Sequence, residues 1–364
     1  MSTLSTESLN AALAKVQDPL FEKDIVALGY VTRAEVSGSR ASVTLKLPTP
    51  AHPHRAELES GVRRVAGEIC ATDVQVEVTS EVTRRVGGTG GGRLANVKNI
   101  IAVAAGKGGV GKSTVSTNLA LALRSYGASV GLLDADIYGP SVPTMLGTPE
   151  IPAGNKAGNQ ITPAVYYGVK VISVGFFVER DGAVVWRGPM IHKLLQQFIE
   201  DVEWGDLDYL VIDLPPGTGD AQLSLSQLLP VTGAVIVTTP QEVSLIDVVK
   251  AISMFKKVEI PLLGIVENMS YYKCPACGHH DEIFSHGGGK TLAAEIGTQL
   301  LGELPLHASV RYGGDAGRPV VIGVPDGEHA GLFRTIAQRV AGEVAKRNGP
   351  GGGTGRRAAG LVIR

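Results

Sequence analysis

A glycine-rich run containing two lysines is the feature of this chain that most directly indicates chemistry. Residues 106–114 read GKGGVGKST and directly follow the apolar residues 100–105, which fits the phosphate-binding pattern G-x-x-x-x-G-K-[ST] between a strand and a helix. Glycines let backbone N–H groups surround phosphate oxygens, Lys112 can neutralise the β- and γ-phosphates, and the Ser113 hydroxyl can ligate Mg²⁺. The helix predicted at residues 113–125 points its positive end at the same anion. The predicted nucleotide contacts in this run are Gly106, Lys107, Gly108, Gly109, Val110, Gly111, Lys112, Ser113 and Thr114.

Polar side chains end three further apolar segments. One predicted strand ends at Asp134, and Asp136 follows two positions later. Four apolar residues precede Asp213, which is the arrangement in which the aspartate supports Mg²⁺. A third predicted strand ends at Asn268. Because the carboxyl ends of parallel strands face the ligand crevice, the carboxylates can organise Mg²⁺ and a water molecule beside the phosphate loop.

A Cys-x-x-Cys pair, Cys274 and Cys277, offers metal or redox chemistry. Thioredoxin-type redox chemistry needs the pair at a helix start, whereas a polar loop rich in glycine and histidine follows here. A zinc site needs four ligands, and His279, His280 or His286 could complete one. The thiols could also remain uncoordinated. The fourth alternative is a [4Fe–4S] cluster, whose four thiolates a two-fold dimer would supply from two such pairs.

The composition is that of a globular protein in a reducing compartment. The chain has 364 residues, enough for two domains, and a formal net charge of −1, which gives no general attraction to nucleic acid or an anionic membrane. The three cysteines argue against a disulfide framework, and Cys70 is predicted to be a small buried residue on a helix. The N-terminus lacks a secretory pattern, and no apolar stretch is long enough to span a bilayer. We therefore expect a cytoplasmic protein without nucleic-acid or membrane partners.

Hydrophobic periodicity divides the chain into four parts. Residues 1–83 are predicted to form a small α+β domain, residues 84–98 a glycine-rich linker, residues 99–347 a large α/β domain and residues 348–364 a disordered tail. In the small domain we predict helices at residues 6–16 and 57–70, and strands at residues 31–36, 41–47 and 74–82.

The large domain alternates predicted strands and helices. The strands are predicted at residues 100–105, 129–134, 209–213, 234–239 and 262–268. Their near-continuous apolar character favours a mostly parallel sheet covered by helices on both faces. An amphipathic helix at residues 329–346 is predicted to dock on the core through Leu332, Phe333, Ile336, Val340 and Val344.

Six motifs occur in an order that resembles one family of ATPases. They are KGGVGKST from Lys107, DADIYGPS from Asp134, DLPPGTGD from Asp213, NMS from Asn268, CPACG from Cys274 and HGGG from His286. The first motif, with its extra lysine, resembles the deviant Walker A loop of the MinD/ParA/Mrp class of P-loop ATPases. The full set resembles the Mrp/ApbC-type iron–sulfur cluster carrier ATPases over roughly residues 98–345.

The front domain also resembles a known module. The run DPLFEKDIVALG from Asp18 is similar to the small αβ domain often fused ahead of these carriers and found in iron–sulfur assembly factors. Some members of that family carry a cysteine in the loop after the second strand. The corresponding loop here, PTPAHPH at residues 48–54, has none.

The resemblance implies a fold, an activity and a cargo. It implies a P-loop NTPase fold that binds ATP with Mg²⁺ and hydrolyses it slowly. It further implies a homodimer that holds a labile bridging [4Fe–4S] cluster through Cys274 and Cys277 and delivers it to apo iron–sulfur proteins.

The same resemblance assigns roles to individual residues. Lys107 would reach the nucleotide of the partner chain, so the expected catalytic residues are Lys107, Lys112 and Asp136. Asp136 would orient the attacking water, Asp134 would sit near the metal beside Ser113, and Asn268 would contact the adenine base.

A positioning or partition ATPase that binds DNA or membrane is the alternative function. Partition proteins need a basic surface, and membrane positioners need a basic amphipathic terminal helix. The net charge and the glycine-rich tail favour neither, and neither function would use the cysteine pair.

Overall fold

The computed structural model describes residues 5–69, 71–85, 94–148, 154–155, 160–177, 188–217 and 229–349. They form two compact units, which contain Met1–Thr83 with the segment from Ala341, and Arg84–Val340. The sequence predicts the large domain to extend to residue 347, whereas the structure groups residues from Ala341 with the smaller unit. The predictions for Cys70, for residues 86–93 of the linker and for the tail from residue 350 lie outside the described residues.

The smaller unit is a three-stranded sheet packed with two helices. The sheet has the order β3-β4-β5, with β3 antiparallel and β5 parallel to the central β4. Alternate residues of β4, from Ala41 to Leu47, are buried, and they pack with Leu58, Val62 and Val65 of the second helix. The elements of this unit are α1 (Thr6–Leu13), β1 (Gln17–Asp18), β2 (Lys23–Asp24), β3 (Val31–Ser37), β4 (Arg40–Leu47), α2 (Arg55–Glu68) and β5 (Asp73–Ser80).

The larger unit alternates strands and helices, as its apolar segments predict. Among the described residues, no helix is both long and apolar enough to cross a membrane. The elements are β6 (Val97–Ala105), α3 (Lys112–Ser125), β7 (Val130–Asp134), α4 (Val142–Leu146), β8 (Gly154–Asn155), β9 (Gln160–Ile161), β10 (Ala164–Tyr166), β11 (Val169–Ser173), α5 (Gly188–Glu200), β12 (Leu207–Asp213), β13 (Gly233–Thr238), α6 (Glu242–Lys257), β14 (Leu262–Lys273), β15 (His280–Asp281), α7 (Gly288–Ile296), β16 (Leu300–Leu306), α8 (Ala308–Asp315), α9 (Val320–Gly323) and α10 (Glu328–Asn348). The residues of α10 from Ala341 onward are grouped with the smaller unit.

A mostly parallel sheet forms the centre of the larger unit. Its order is β10-β11-β7-β12-β6-β13-β14, with β16 parallel to β14 on the far side. The strands β10 and β15 are antiparallel to their neighbours β11 and β14. Every residue of β7 and of β13 is buried, which requires cover on both faces of the sheet. The predicted α/β class and mostly parallel sheet are therefore confirmed.

The carboxyl ends of three neighbouring strands meet at one edge of this sheet. Asp213 of β12 lies in register with Asp134 of β7 and with Val103 of β6. The chain that leaves β6 is the glycine-rich run, so the acidic strand ends and the phosphate loop come together.

The structure corrects two strand predictions. The strand predicted at residues 262–268 runs on to Lys273, because β16 and the short β15 pair with its second half. The strands β11 and β16 were not expected, because Lys170 interrupts one apolar run, and Gly302 and Pro305 weaken the other. The predicted terminal helix is confirmed as α10, with Phe333, Ile336 and Val340 buried.

Candidate functional site

The phosphate loop leaves β6 after Ala105 and enters α3 at Lys112, where the first N–H groups of the helix have no helical partners. Gly109 and Gly111 both have φ +83°, a left-handed conformation that glycine adopts at little cost. A Cβ on Gly111 would lie 2.2 Å from Nδ2 of Asn268. Both the dihedral angle and the close approach therefore require glycine at position 111.

The start of the loop is held against helix α6. A Cβ on Gly106 would lie 2.4 Å from the carbonyl carbon of Asp247 and 2.5 Å from the backbone nitrogen of Val248. The first glycine of the motif therefore permits a backbone-to-backbone contact with a neighbouring helix.

Lys112 is buried between two carboxylates. Its Nζ lies 2.8 Å from Oδ1 of Asp213 and 3.3 Å from Oδ2 of Asp136. Burial by itself lowers the pKa of Lys112, but the attraction of Asp213 and then of Asp136 raises it above the ordinary value. The lysine is therefore a fixed positive charge at the end of the loop.

Asp213 also receives hydrogen bonds from two serines of helix α3. Ser113 Oγ donates to Oδ2 at 2.5 Å, and Ser116 Oγ donates to Oδ1 at 2.6 Å. The last residue of β12 is therefore connected to the first two turns of α3. Sequence analysis identified Ser113 but missed Ser116, although it lies one helical turn beyond Lys112 on the same face.

Asp134 is fully buried and holds the loop that follows β7. Its carboxylate accepts hydrogen bonds from the backbone N–H groups of Asp136 and Val142 and, at 2.8 Å, from Ser173 Oγ. Burial and then the nearby Asp213 raise the pKa of Asp134 to about 7, although Ser173 and Lys112 act in the opposite direction. With three donors on its two oxygens, Asp134 positions the loop that carries Asp136.

Asp136 lies beside Lys112 and has one carboxylate oxygen without a hydrogen-bond partner among the described residues. Its Oδ2 faces Lys112, whereas Oδ1 is buried and has no hydrogen-bond partner among the described residues. Buried carboxylate oxygens nearly always have partners, so an unpartnered one beside a phosphate loop indicates a position for a water or a ligand.

A cavity of about 440 Å³ opens beside the loop. Its walls include Gly111, Thr114, Met145, Asn268, Pro305 and His307. Asn268 lies at this wall and donates from Nδ2 to the carbonyl oxygen of Val110 at 2.8 Å, so it also fixes the loop backbone. The volume suits a small ligand of nucleoside size.

Lys107, the extra lysine of the motif, is half-buried and forms no hydrogen bond or ion pair with any described residue. It differs in this respect from Lys112, which has two carboxylate partners. The Lys107 ammonium is therefore available to a group outside the described part of the chain.

The cysteine hairpin (residues 271–281) joins β14 to β15. The N–H of Cys274 donates to the carbonyl of His279, and the N–H of Gly278 donates to the carbonyl of Cys274. The N–H groups of Cys277 and then Ala276 donate to the Cys274 sulfur, which lowers the pKa of its thiol. Cys277 is exposed and Cys274 partly exposed, so both sulfur atoms can be reached from solvent.

The residues around Cys274 and Cys277 bear on the choice between redox chemistry, a zinc site and an iron–sulfur cluster. Strands flank it on both sides, so the helix start that thioredoxin-type chemistry needs is absent from this part of the structure. Among the described residues, no histidine or carboxylate joins Cys274 and Cys277 in a group of three potential metal ligands.

The histidines considered for zinc have other neighbours. The His280 ring stacks on Tyr271 at 5.0 Å, and His286 lies between Glu267 and Glu303. Those three side chains are close enough to suggest a metal site, but the Glu267 oxygens already accept hydrogen bonds from Gly287, Gly289 and Ser270. We therefore interpret Glu267 as the cap of helix α7, which accounts for the HGGG motif.

Comparison with known proteins places these features in a family. The profile of the NUBPL iron-transfer P-loop NTPases, a ParA-type family, matches residues 96–341, and that of an iron–sulfur cluster assembly protein matches residues 6–78. An iron–sulfur cluster carrier protein of Escherichia coli is 46% identical over 348 residues, 93% of this chain and 94% of the relative.

Two solved structures share the fold of the larger unit. A nucleotide-binding protein from Archaeoglobus fulgidus, in complex with ADP and with cobalt found in it, is 40% identical with a TM-score of 0.56; the match covers 62% of this chain and 89% of that protein. The cell-division ATPase MinD from Pyrococcus furiosus is 25% identical with a TM-score of 0.50, over 66% of this chain and 98% of MinD.

The geometry at Gly111 predicts a loss of stability. Gly111→Ala should lower the free energy of unfolding by about 1–2 kcal/mol or more, because a Cβ in the left-handed region is strained and would also meet Asn268. Urea unfolding without nucleotide measures this effect. Gly108→Ala is the matched control, since its Cβ would meet no atom within 4 Å, and it should change stability by less than about 0.5 kcal/mol. Equal unfolding midpoints for the two variants would contradict the interpretation.

The raised pKa of Asp134 predicts a pH dependence. From about pH 4 to pH 7 the unfolded chain loses the proton while the folded state keeps it, so this carboxyl progressively destabilises the folded protein as pH rises. Asp134→Asn abolishes the titration. The unfolding free energy of the variant minus that of the wild type should therefore increase from pH 4 to pH 7 and then level off. Asp206→Asn, at an exposed aspartate, is the control variant and is measured over the same pH range. A flat difference for Asp134→Asn would reject the assignment.

Proposed function

This chain belongs to the ParA-type family of NUBPL iron-transfer P-loop NTPases, and we propose that it is an ATP-hydrolysing carrier of a [4Fe–4S] cluster. Two copies of the chain hold the cluster between them and pass it to apo iron–sulfur proteins. The observation that carries this proposal is the cysteine hairpin, which follows directly on the strand that contacts the phosphate loop. Its two cysteines, one exposed and one partly exposed, have no third potential metal ligand beside them among the described residues.

The site fits a nucleotide with Mg²⁺. Ser113 and Asp213 supply hard oxygen donors 2.5 Å apart, and Asp136 adds an unpartnered buried oxygen, a donor set that suits Mg²⁺. Ser113 would hold the ion directly, with Asp213 supporting it and Asp134 acting through its loop. When bound, Mg²⁺ neutralises charge on the phosphates. The adenine base would occupy the cavity whose wall contains Asn268.

Hydrolysis requires a positioned water molecule. Lys112 would contact the phosphates in the ground state, and the buried, unpartnered Oδ1 of Asp136 would accept a hydrogen bond from the attacking water. Asp136 therefore acts as the group that orients the water, and its position depends on the hydrogen bond from its own N–H to Asp134.

The environment of Lys107 is an argument for a second copy of the chain near the nucleotide. A half-buried ammonium without a partner among the described residues can stabilise phosphate charge in the transition state, as a residue supplied in trans does in other P-loop enzymes. We propose that it reaches the nucleotide of the partner chain.

The cargo requires the same second copy. A [4Fe–4S] cluster takes four thiolates, and each hairpin supplies two. A two-fold axis brings two hairpins together and completes the set. Because each chain holds only half of the ligands, a small rotation of the copies can release the cluster to an acceptor. Thiolate ligands persist in a reducing compartment, so we place the protein in the cytoplasm.

The division of labour between Lys112 and Asp136 is testable. Asp136→Asn should bind ATP with an affinity within a few fold of wild type but hydrolyse it about 100-fold or more slowly, because the water loses its orienting group. Lys112→Ala should lose ATP binding. Calorimetry with a non-hydrolysable analogue and phosphate release measure the two properties, with thermal unfolding as a check on folding. Unchanged turnover in Asp136→Asn would reject the role given to Asp136.

The cysteine assignment predicts a stoichiometry. After anaerobic reconstitution with iron and sulfide, the wild type should hold about four irons per two chains, whereas Cys274→Ser and Cys277→Ser should hold almost none. Cys70→Ala is the matched control and should retain the full content. Metal analysis and light scattering measure both quantities. A monomer with a full cluster, equal iron in the Cys274 variant, or zinc that iron does not replace would each overturn the proposal.

A further inference from the structure

Strand β14 connects the phosphate loop to the cysteine pair. Asn268, in the middle of the strand, donates to the carbonyl of Val110 in the loop, and the last residue of the strand, Lys273, precedes Cys274. Cys274 lies six positions after Asn268, about 20 Å of extended chain. The conformation of the residues between them therefore sets where the cysteine pair stands relative to the nucleotide.

The strand is anchored just before this stretch. The Glu267 carboxylate is fully buried and accepts hydrogen bonds from the N–H of Gly287 at 3.1 Å and of Gly289 at 2.6 Å. It also accepts a hydrogen bond from Ser270 Oγ at 2.5 Å. These contacts and the hydrogen bond from Asn268 to the loop fix the strand at Glu267 and Asn268. The hydrogen bond from Ser270 to Glu267 also fixes the position of Ser270, so that only Met269 lies between the fixed residues.

That residue, Met269, has a strained backbone. Its φ is +54°, a conformation that a residue with an unbranched apolar side chain rarely adopts. The pairing of β14 with β16 is irregular at the same place, because Asn268 pairs with Leu304 while Tyr272 pairs with Leu306. Four positions of β14 thus face two of β16, which makes this a bulge. Strain of this kind persists where the surroundings impose it, and it is concentrated at functional sites.

Met269 lines the 440 Å³ cavity, together with Asn268 and Leu306. A ligand in this cavity therefore has a direct contact with the strained residue. Among the described residues that line the cavity, Met269 alone lies on β14 and has a left-handed φ.

Beyond the bulge, the strand and the cysteine hairpin form one body. Tyr272 pairs with Asp281, and Lys273 pairs with His280. The ring of Tyr271 stacks on that of His280 with an angle of 8° between the planes. A change of backbone angle at Met269 therefore shifts the hairpin relative to the phosphate loop, within the limits set by the pairing of Tyr272 with Leu306 and the ion pair of Lys273 with Glu328.

We propose that Met269 is a positioning residue that couples the nucleotide cavity to the cysteine pair. Contact between a bound nucleotide base and the Met269 side chain changes the bulge, and the bulge sets the orientation and exposure of Cys274 and Cys277. The inference rests on the proposed function in that it requires a nucleotide base to occupy the cavity.

Thermodynamic linkage constrains the coupling between the nucleotide cavity and the cysteine pair. A nucleotide can favour one arrangement of the bulge only by binding it more tightly than the other. The influence is reciprocal, so a change at the cysteine pair alters nucleotide affinity by the same factor. A coupling of about fivefold or more is the size that allosteric sites commonly show.

The test measures cysteine reactivity in the cluster-free protein. In a Cys70→Ala background, the alkylation rates of Cys274 and Cys277 by iodoacetamide are followed by peptide mass spectrometry, with and without saturating ADP and Mg²⁺. ADP should change the rate about fivefold or more. Met269→Gly relieves the strained φ and removes the side chain, so it should bind ADP but reduce the rate change to less than about 1.5-fold. Met269→Leu, which retains an apolar side chain in the strained position, should keep most of the change.

A matched variant separates coupling from loss of cavity contacts. Met145→Ala removes a methionine from the same cavity but on α4, and at saturating ADP it should retain the full rate change. A full rate change in Met269→Gly would overturn the inference, as would ADP binding without any rate change in the parent. Both results leave cluster loading and hydrolysis intact, so the proposed function would stand. Failure of the parent to bind ADP by calorimetry would overturn both.

Discussion

The buried ammonium of Lys112 is the constraint on which the nucleotide site depends. A charge taken out of water is costly unless opposite charges and hydrogen bonds surround it, and here Asp213 and Asp136 do so within 3.3 Å. These partners stand at the ends of two strands, so satisfying one lysine brings β7, β12 and the start of α3 together. A triphosphate offers the lysine a further anionic partner, so the contacts that stabilise the fold are also those that binding must rearrange.

Strand β14 shows how one element serves two sites. Its first half is mostly apolar and buried between β13 and β16, whereas from Asn268 onward its residues are more polar and mostly only partly buried. The change of composition marks the point at which the strand leaves the core. The core holds one end, the other end leads to the cysteine hairpin, and the bulge at Met269 lies between them. On the proposed function, this continuity lets a site that binds phosphate influence a site that holds iron.

Sequence analysis makes its most specific predictions where the chemistry is local. The phosphate loop, Asp213 and the cysteine pair each lie within a short motif whose residue types and spacing have a physical reason. It missed features that arise from contacts distant in sequence, such as the hydrogen bond from Ser173 to Asp134 and the cap that Glu267 provides to helix α7. The left-handed φ of Met269 could not be predicted, because methionine has no preference for that conformation and only its surroundings impose it.

The chemistry of the hairpin explains why a carrier would share its cargo between two chains. The N–H groups that donate to the Cys274 sulfur lower the pKa of its thiol, which favours the thiolate that a metal ion requires. The same thiolate character makes exposed cysteines prone to oxidation. A second copy that covers the hairpin would protect the thiolates while the cluster is held, and its displacement would expose them only at transfer. On the proposed function, lability and protection then depend on the same movement of the two copies.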